Sequence, residues 1–145
     1  MAARHHEALT MRLTAKPRTL RFALVAFFAA GGLLVWGELA PVDGLISFRV
    51  PPSIPSSDGA IRRGQIRAVH AVVRDESGEV VARSEQSLDN GLQGPVTSPV
   101  FMRLPRGTYT VIATITAKRG AKVSLPGTLS LNEEGYHRVE LRRAP

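Results

Sequence analysis

The side chains in this chain best equipped for chemistry are its histidines and its adjacent acids. His70 and His137 stand alone in the region after residue 40. A protein metal site needs three or four ligands at workable spacing, and no further partner accompanies either histidine. His5-His6 is an adjacent pair without other ligands. Asp75-Glu76 and Glu133-Glu134 are paired acids. Glycoside hydrolysis needs two carboxylates facing each other across a cleft. Both pairs fall in turn-like stretches, where acids serve solvation, and neither stretch has the ligand density of a calcium loop. The chain has no cysteine, which excludes thiol nucleophiles, disulfides and thiolate metal sites. Gly-x-Ser-x-Gly, Walker and dinucleotide-binding patterns are missing from it. The expectation is a non-catalytic protein with no cofactor and no metal.

Basic residues give the one binding chemistry the sequence offers. Arg62 and Arg63, near Arg67, and Arg142 and Arg143 supply guanidinium groups that would hold an anionic polymer or glycan if the fold gathers them. Aromatic residues interleaved among them for base stacking are lacking, so nucleic acid is not an expected partner. The single tryptophan, Trp36, lies in an apolar run. Phe48 and Tyr109 read as core, which leaves Phe101 and Tyr136 as the exposed rings.

The elements that would position these groups begin with an address. Phe22 to Gly37 is sixteen residues without a charge, about 24 Å as a helix. Arg4, Arg12, Lys16, Arg18 and Arg21 precede it, opposed by Glu7 alone. The net charge of the chain is +7, and the part from Glu38 onward carries 14 basic and 11 acidic residues. Much of the basicity therefore sits before the apolar run, where it sets membrane orientation. A cleaved signal peptide would need a small residue where Glu38 stands before Leu39-Ala40. A buried soluble helix would need other helices around it, and the remainder shows none. The expected organisation is a basic cytoplasmic tail over 1–19, a transmembrane signal anchor over 20–40 and an exported β domain over 41–145. The membrane and a protein of the envelope are the expected partners, with the domain extracytoplasmic.

After residue 40 the hydrophobic period is two. Ile46, Phe48 and Val50 share a face. Pro51 to Gly59 reads as a loop. Ile66–Arg74 and Glu79–Ser87 read as a hairpin around Asp75–Gly78, with Val69, Ala71 and Val73 on one face and Ile66, Ala68, His70 and Val72 on the other. Asp89–Pro99 reads as a long loop. Met102 and Leu104 alternate with Phe101 and Arg103. Tyr109, Val111, Ala113, Ile115 and Ala117 alternate with threonines and Ile112. Val123–Leu131 is strand-like but interrupted by Pro126-Gly127, and Val139 and Leu141 close the pattern. About seven short strands without an amphipathic helix predict an all-β fold, a seven-stranded antiparallel sandwich over 45–143.

Two segments carry a resemblance. Val72-Val73-Arg74-Asp75-Glu76-Ser77-Gly78-Glu79-Val80-Val81 resembles the strand, Asp-x-x-Gly turn and strand of the transthyretin-like, carboxypeptidase-regulatory-like group of immunoglobulin-like β-sandwich modules. Phe101-Met102-Arg103-Leu104-Pro105-Arg106-Gly107-Thr108-Tyr109-Thr110-Val111 resembles that group's F-x-L-P-x-G-x-Y-x-V. The stretch Gly94–Pro99 departs from the pattern that precedes the phenylalanine. The resemblance implies a non-catalytic accessory or adhesion-type module and carries over no ligand residue. The expected function is a membrane-anchored envelope module for protein interaction or structural support, the alternative being the polyanion or glycan module built on the four arginines.

Overall fold

The computed structural model describes residues 40–143. The tail over 1–19 and the anchor over 20–40 lie, Ala40 apart, outside the described residues. Among the described residues no helix is long and apolar enough to cross a membrane.

Alternating apolar residues produce nine strands: β1 (Pro41–Arg49), β2 (Ser53–Ser56), β3 (Gly59–Arg62), β4 (Ile66–Arg74), β5 (Val80–Ser87), β6 (Val100–Pro105), β7 (Gly107–Ala117), β8 (Lys122–Leu131) and β9 (Gly135–Glu140). A single 3-10 turn, Arg63–Gln65, links β3 to β4. One sheet has the order β6-β1-β9, a second β5-β4-β7-β8, and β2-β3 is a separate hairpin. The all-β class therefore stands, and the first two sheets hold seven strands between them. The count of seven needs correction to nine among the described residues, because Ser53–Ser56, read as loop, and Gly59–Arg62 are both strands. Pro55, which has no N–H to give, is accommodated because β2 pairs with β3 alone. The sandwich is also not wholly antiparallel: β1 and β9 run parallel. Local periodicity is the same for either direction, so it cannot report this.

The core lies between the sheets. Ile46 and Phe48 of β1, Val111 and Ile115 of β7, and Leu125 and Leu129 of β8 are all fully buried. Every inward residue expected on β7 is buried, Tyr109 and Ala117 included. Ile66 is buried too, although simple alternation assigns it to the opposite face from Val69. The ladder to β7 shifts register between Ile66 and Ala68, and that one-residue irregularity returns Ile66 to the core. Pro126 and Gly127 do not interrupt β8, whose ladder to β7 is continuous. They sit on the edge strand of its sheet, where a missing N–H costs no ladder bond.

The two motif segments fold as follows. Asp75 Oδ1 accepts from Ser77 N at 2.9 Å, Ser77 Oγ at 2.6 Å and Glu79 N at 3.0 Å. Gly78 completes the turn at φ 85°, a region open to glycine. The second segment is not a hairpin. β6 belongs to the three-stranded sheet and β7 to the four-stranded one, so Pro105-Arg106-Gly107 carries the chain from one layer to the other. The Tyr109 hydroxyl donates back to the Pro105 carbonyl and fixes this crossing. Burial, and then the Asp75 carboxylate, push the Tyr109 phenol above its ordinary value.

Candidate functional site

The expected chemistry-bearing residues are dispersed. His70 pairs with Glu85 and Thr114 across the four-stranded sheet. His137 belongs to the other sheet, opposite Ile46, with Nε2 2.9 Å from the Glu133 carbonyl. The two imidazoles thus occupy different layers. Asp75-Glu76 and Glu133-Glu134 lie in turns at β4–β5 and β8–β9. Among the described residues no group of three His, Asp or Glu side chains stands close enough to hold a metal ion.

The arginines are partly gathered. On β9, Arg138 and Glu140 point outward, alternating with the buried Val139. Arg142 and Arg143 follow the strand after the buried Leu141. A depression of about 600 Å³ is walled by Arg138, Glu140, Arg142 and Arg143 on one side and by Pro126–Thr128 of β8 on the other. It forms because edge strands of the two sheets meet here: Arg142 N donates to the Pro126 carbonyl at 3.0 Å. A second depression, about 500 Å³, is lined by Arg49, Arg63, Pro51, Pro52, Glu140 and Arg142 among others. Glu140 and Arg142 belong to both. Of the four arginines singled out from sequence, Arg63, Arg142 and Arg143 therefore line linked concavities. Arg62 lines neither, and sits at the end of β3 opposite Ser53.

Arg63 is not free to take a ligand with its whole guanidinium. Its Nε and Nη2 donate to the Val50 carbonyl at 3.0 and 2.6 Å, and its own carbonyl accepts from Leu92 N at 3.0 Å. Arg49 Nη1 reaches Glu140 Oε1 at 3.4 Å with both side chains about half exposed, a pair of small energetic weight. Arg138, Arg142 and Arg143 are exposed. Glu140 is the single acid lining either depression.

Sequence reasoning missed Arg49 and Arg138. The signal was present, because both alternate outward beside apolar core positions. What was not readable was that parallel pairing sets Arg49 against Glu140 and Ser47 against Arg138.

The outer face of the three-stranded sheet adds a second feature. Leu45 pairs with Phe101 on β6 and with Tyr136 on β9. All three point outward, and they are 44%, 63% and 52% exposed. They form one row across the sheet. The next row on one side holds Asp43 and Arg103, 3.6 Å apart. On the other side come Ser47 with Arg138, then Arg49 with Glu140. Ser47 is fully buried although it is on the outward face. Its hydroxyl lowers the Tyr136 phenol below the ordinary value more than any other group does; desolvation opposes this, and Arg138 lowers it further. The approach of the two hydroxyls falls short of hydrogen-bond geometry, since Ser47 Oγ meets no hydrogen-bond partner among the described residues. Tyr136, opposite Leu45, thus stands diagonally across from Ser47 on this face.

No family model matches the chain, and no curated protein is significantly similar to it. Among solved structures it is similar to a Bacteroides thetaiotaomicron protein described as a candidate polysaccharide-binding protein, with 11% identity and a TM-score of 0.39. The match covers 70% of this chain and 46% of that one, so this chain spans less than half the length of that protein. At that similarity neither chain informs the other's ligand.

Proposed function

We propose that this chain is a non-catalytic module that binds an anionic polymer through the arginine-lined seam between β8 and β9. The observation that carries the reading is the sharing of Arg142 and Glu140 by two adjoining depressions. That sharing joins Arg138, Arg142 and Arg143 to Arg49 in one elongated basic surface, with Arg63 in its wall but committed to the Val50 carbonyl. A long anion gains from such a surface because several guanidinium groups act on it at once, at fixed spacing, with little competing negative charge. The seam is open along its length and suits an extended polymer better than a small molecule.

The module is of the transthyretin-like type in this reading. Its two motif segments form the β4–β5 hairpin and the β6–β7 crossing, with Leu104 and Tyr109 buried. The apolar stretch within 20–40, with its basic flank, is a signal anchor that holds the module outside the cytoplasm and next to the membrane. This would bring an envelope polymer within reach, and protein recruitment by an edge strand is the second role such a tethered module could serve.

The test is retention of the full-length protein, in detergent, on immobilised inorganic polyphosphate as salt is raised. Binding should weaken steeply with salt, and Arg142→Ala with Arg143→Ala should reduce the salt slope by about one unit for each arginine that contacts the polymer. Retention unchanged in that double variant would sink the assignment of the seam.

A further inference from the structure

The outer face of the β6-β1-β9 sheet presents an apolar row bounded on both sides by polar rows. Phe101, Leu45 and Tyr136 stand at matched register positions on three neighbouring strands. Strands lie about 4.8 Å apart, so the two ring-bearing positions are separated by about 9.5 Å. That is the length of roughly two extended sugar rings. We infer that this row is a sugar-stacking platform continuous with the arginine seam, and that the polymer bound is therefore an acidic polysaccharide bearing carboxylates.

The chemistry on both sides of the row favours this ligand. A pyranose has apolar C–H faces and a rim of hydroxyls. The apolar row meets the faces, and polar groups follow on both sides for the hydroxyls: Asp43 and Arg103 in the next row on one side, Arg138 in the next row on the other, with the Arg49–Glu140 pair one row beyond. Tyr136 stands one row along from the buried Ser47 on this face and is half exposed, so its ring is available as a stacking surface. Direction matters as well. The row crosses from β6 through β1 to β9, and β9 is the strand whose far side forms the seam with Arg138, Arg142 and Arg143. A chain crossing the row arrives at guanidinium groups, which match carboxylates by charge and by planar geometry.

Two other occupants fit less well. A stable protein interface buries about 800 Å² on each partner, whereas three half-exposed side chains supply a few hundred Å². A membrane surface calls for apolar groups that penetrate about 5–10 Å, and a single row of three apolar residues with charged residues on both sides offers little to penetrate.

This inference rests on the polyanion reading of the seam, and the experiment separates the two. Full-length protein in detergent is titrated against polygalacturonate, which carries carboxylates on sugar rings, and against inorganic polyphosphate, which carries charge without any C–H face. Tyr136→Ala and Phe101→Ala should each weaken polygalacturonate binding by about threefold to tenfold, with polyphosphate binding within about twofold. Tyr136→Phe keeps the ring and should bind polygalacturonate nearly as the parent does. Thermal melts of all three should match the parent, because both positions are on the surface. Polygalacturonate binding unchanged in both alanine variants would overturn the platform. So would equal losses on the two polymers, or polyphosphate binding with no polygalacturonate binding. Each of these outcomes leaves the seam standing as a polyanion site. Failure to bind either polymer removes the seam and the platform together. Ring-dependent binding to vesicles of anionic lipid, or to oligothymidylate, tighter than to polygalacturonate would assign the face to another ligand and overturn the sugar.

Discussion

Gly127 on β8 lies so close to Val139 on β9 that a β-carbon added to it would stand 2.6 Å from Val139 Cγ1. The Glu140 carbonyl and Leu141 Cδ2 would be at 3.1 and 3.2 Å. The glycine is there for space: this contact is where edge strands of the two sheets close one side of the sandwich. Gly127→Ala should push β9 away and cost about 1–3 kcal/mol through overpacking. The same displacement should disturb the seam that Pro126–Thr128 and Arg142 share, so polyphosphate affinity should fall with stability. Chemical denaturation and a binding titration of the one variant check both outcomes. Unchanged denaturation would mean that β8 and β9 yield more readily than this packing implies.

Thr97 latches the long loop before β6 onto β1. Its Oγ1 accepts from Phe48 N at 3.0 Å and its N donates to the Phe48 carbonyl at 2.9 Å, with Thr97 nearly fully buried. Thr97→Val keeps the shape and removes the acceptor, leaving a buried N–H without a partner. The expected loss is about 1–3 kcal/mol, larger than for Thr97→Ser, which retains the hydroxyl. Equal stability of the Val and Ser variants would mean that the hydroxyl contributes little.

Much of the fold was legible because most strands have one wet face. Tyr109 through Ala117 alternates without a break, and every expected inward residue is buried. Phe101 and Tyr136 were identifiable as exposed rings for the same reason. What alternation could not carry was partnership. That Leu45 stands between Phe101 and Tyr136 depends on an antiparallel pairing on one side and a parallel pairing on the other, both made by residues far apart in the chain. Ile66 was placed on the wrong face because a register shift is invisible to a period of two. Arg63 looked like Arg62 in sequence, yet one is clamped to the Val50 carbonyl and the other caps the end of an exposed strand. Charge runs reveal that a basic surface is available. The backbone carbonyl that consumes one member of the run is a tertiary fact.

Asp75 gives the fold an acid-sensitive turn. Its carboxyl is held below the ordinary 3.8, first by the Ser77 hydroxyl and further by the amides of Glu79, Ser77 and Gly78, with desolvation opposing. A carboxylate favoured in the native state stabilises fully above its unfolded value, and that contribution is lost as pH falls through the native value. The melting temperature should therefore decline on acidification below about pH 4. Asp75→Asn should lack that component, starting less stable at neutral pH and converging on the parent in acid. Parallel melting curves for the two proteins across that range would show that the turn does not depend on the charge.

The arginines should separate into one that holds the fold and two that hold the ligand. Arg63 spends Nε and Nη2 on the carbonyl of the fully buried Val50. Bonds from a charged donor contribute about 1.5–3 kcal/mol, and an orphaned carbonyl near the core costs more than a solvated one. Arg63→Ala should thus lower stability by about 1–3 kcal/mol, and Arg63→Lys should recover only part, because an ammonium cannot form the same two-pronged contact. Arg142 and Arg143 are exposed. Replacing either by alanine should leave stability within about 0.5 kcal/mol while weakening polyphosphate binding and flattening its salt dependence. Urea denaturation and salt-dependent binding, measured on the same three alanine variants, resolve the division. If Arg63→Ala melted like the parent yet lost binding, Arg63 would be a ligand residue after all and its bond to Val50 incidental. If Arg142→Ala and Arg143→Ala unfolded early, the end of β9 would be structural, and the seam would have to be reassigned to Arg138 and Arg49.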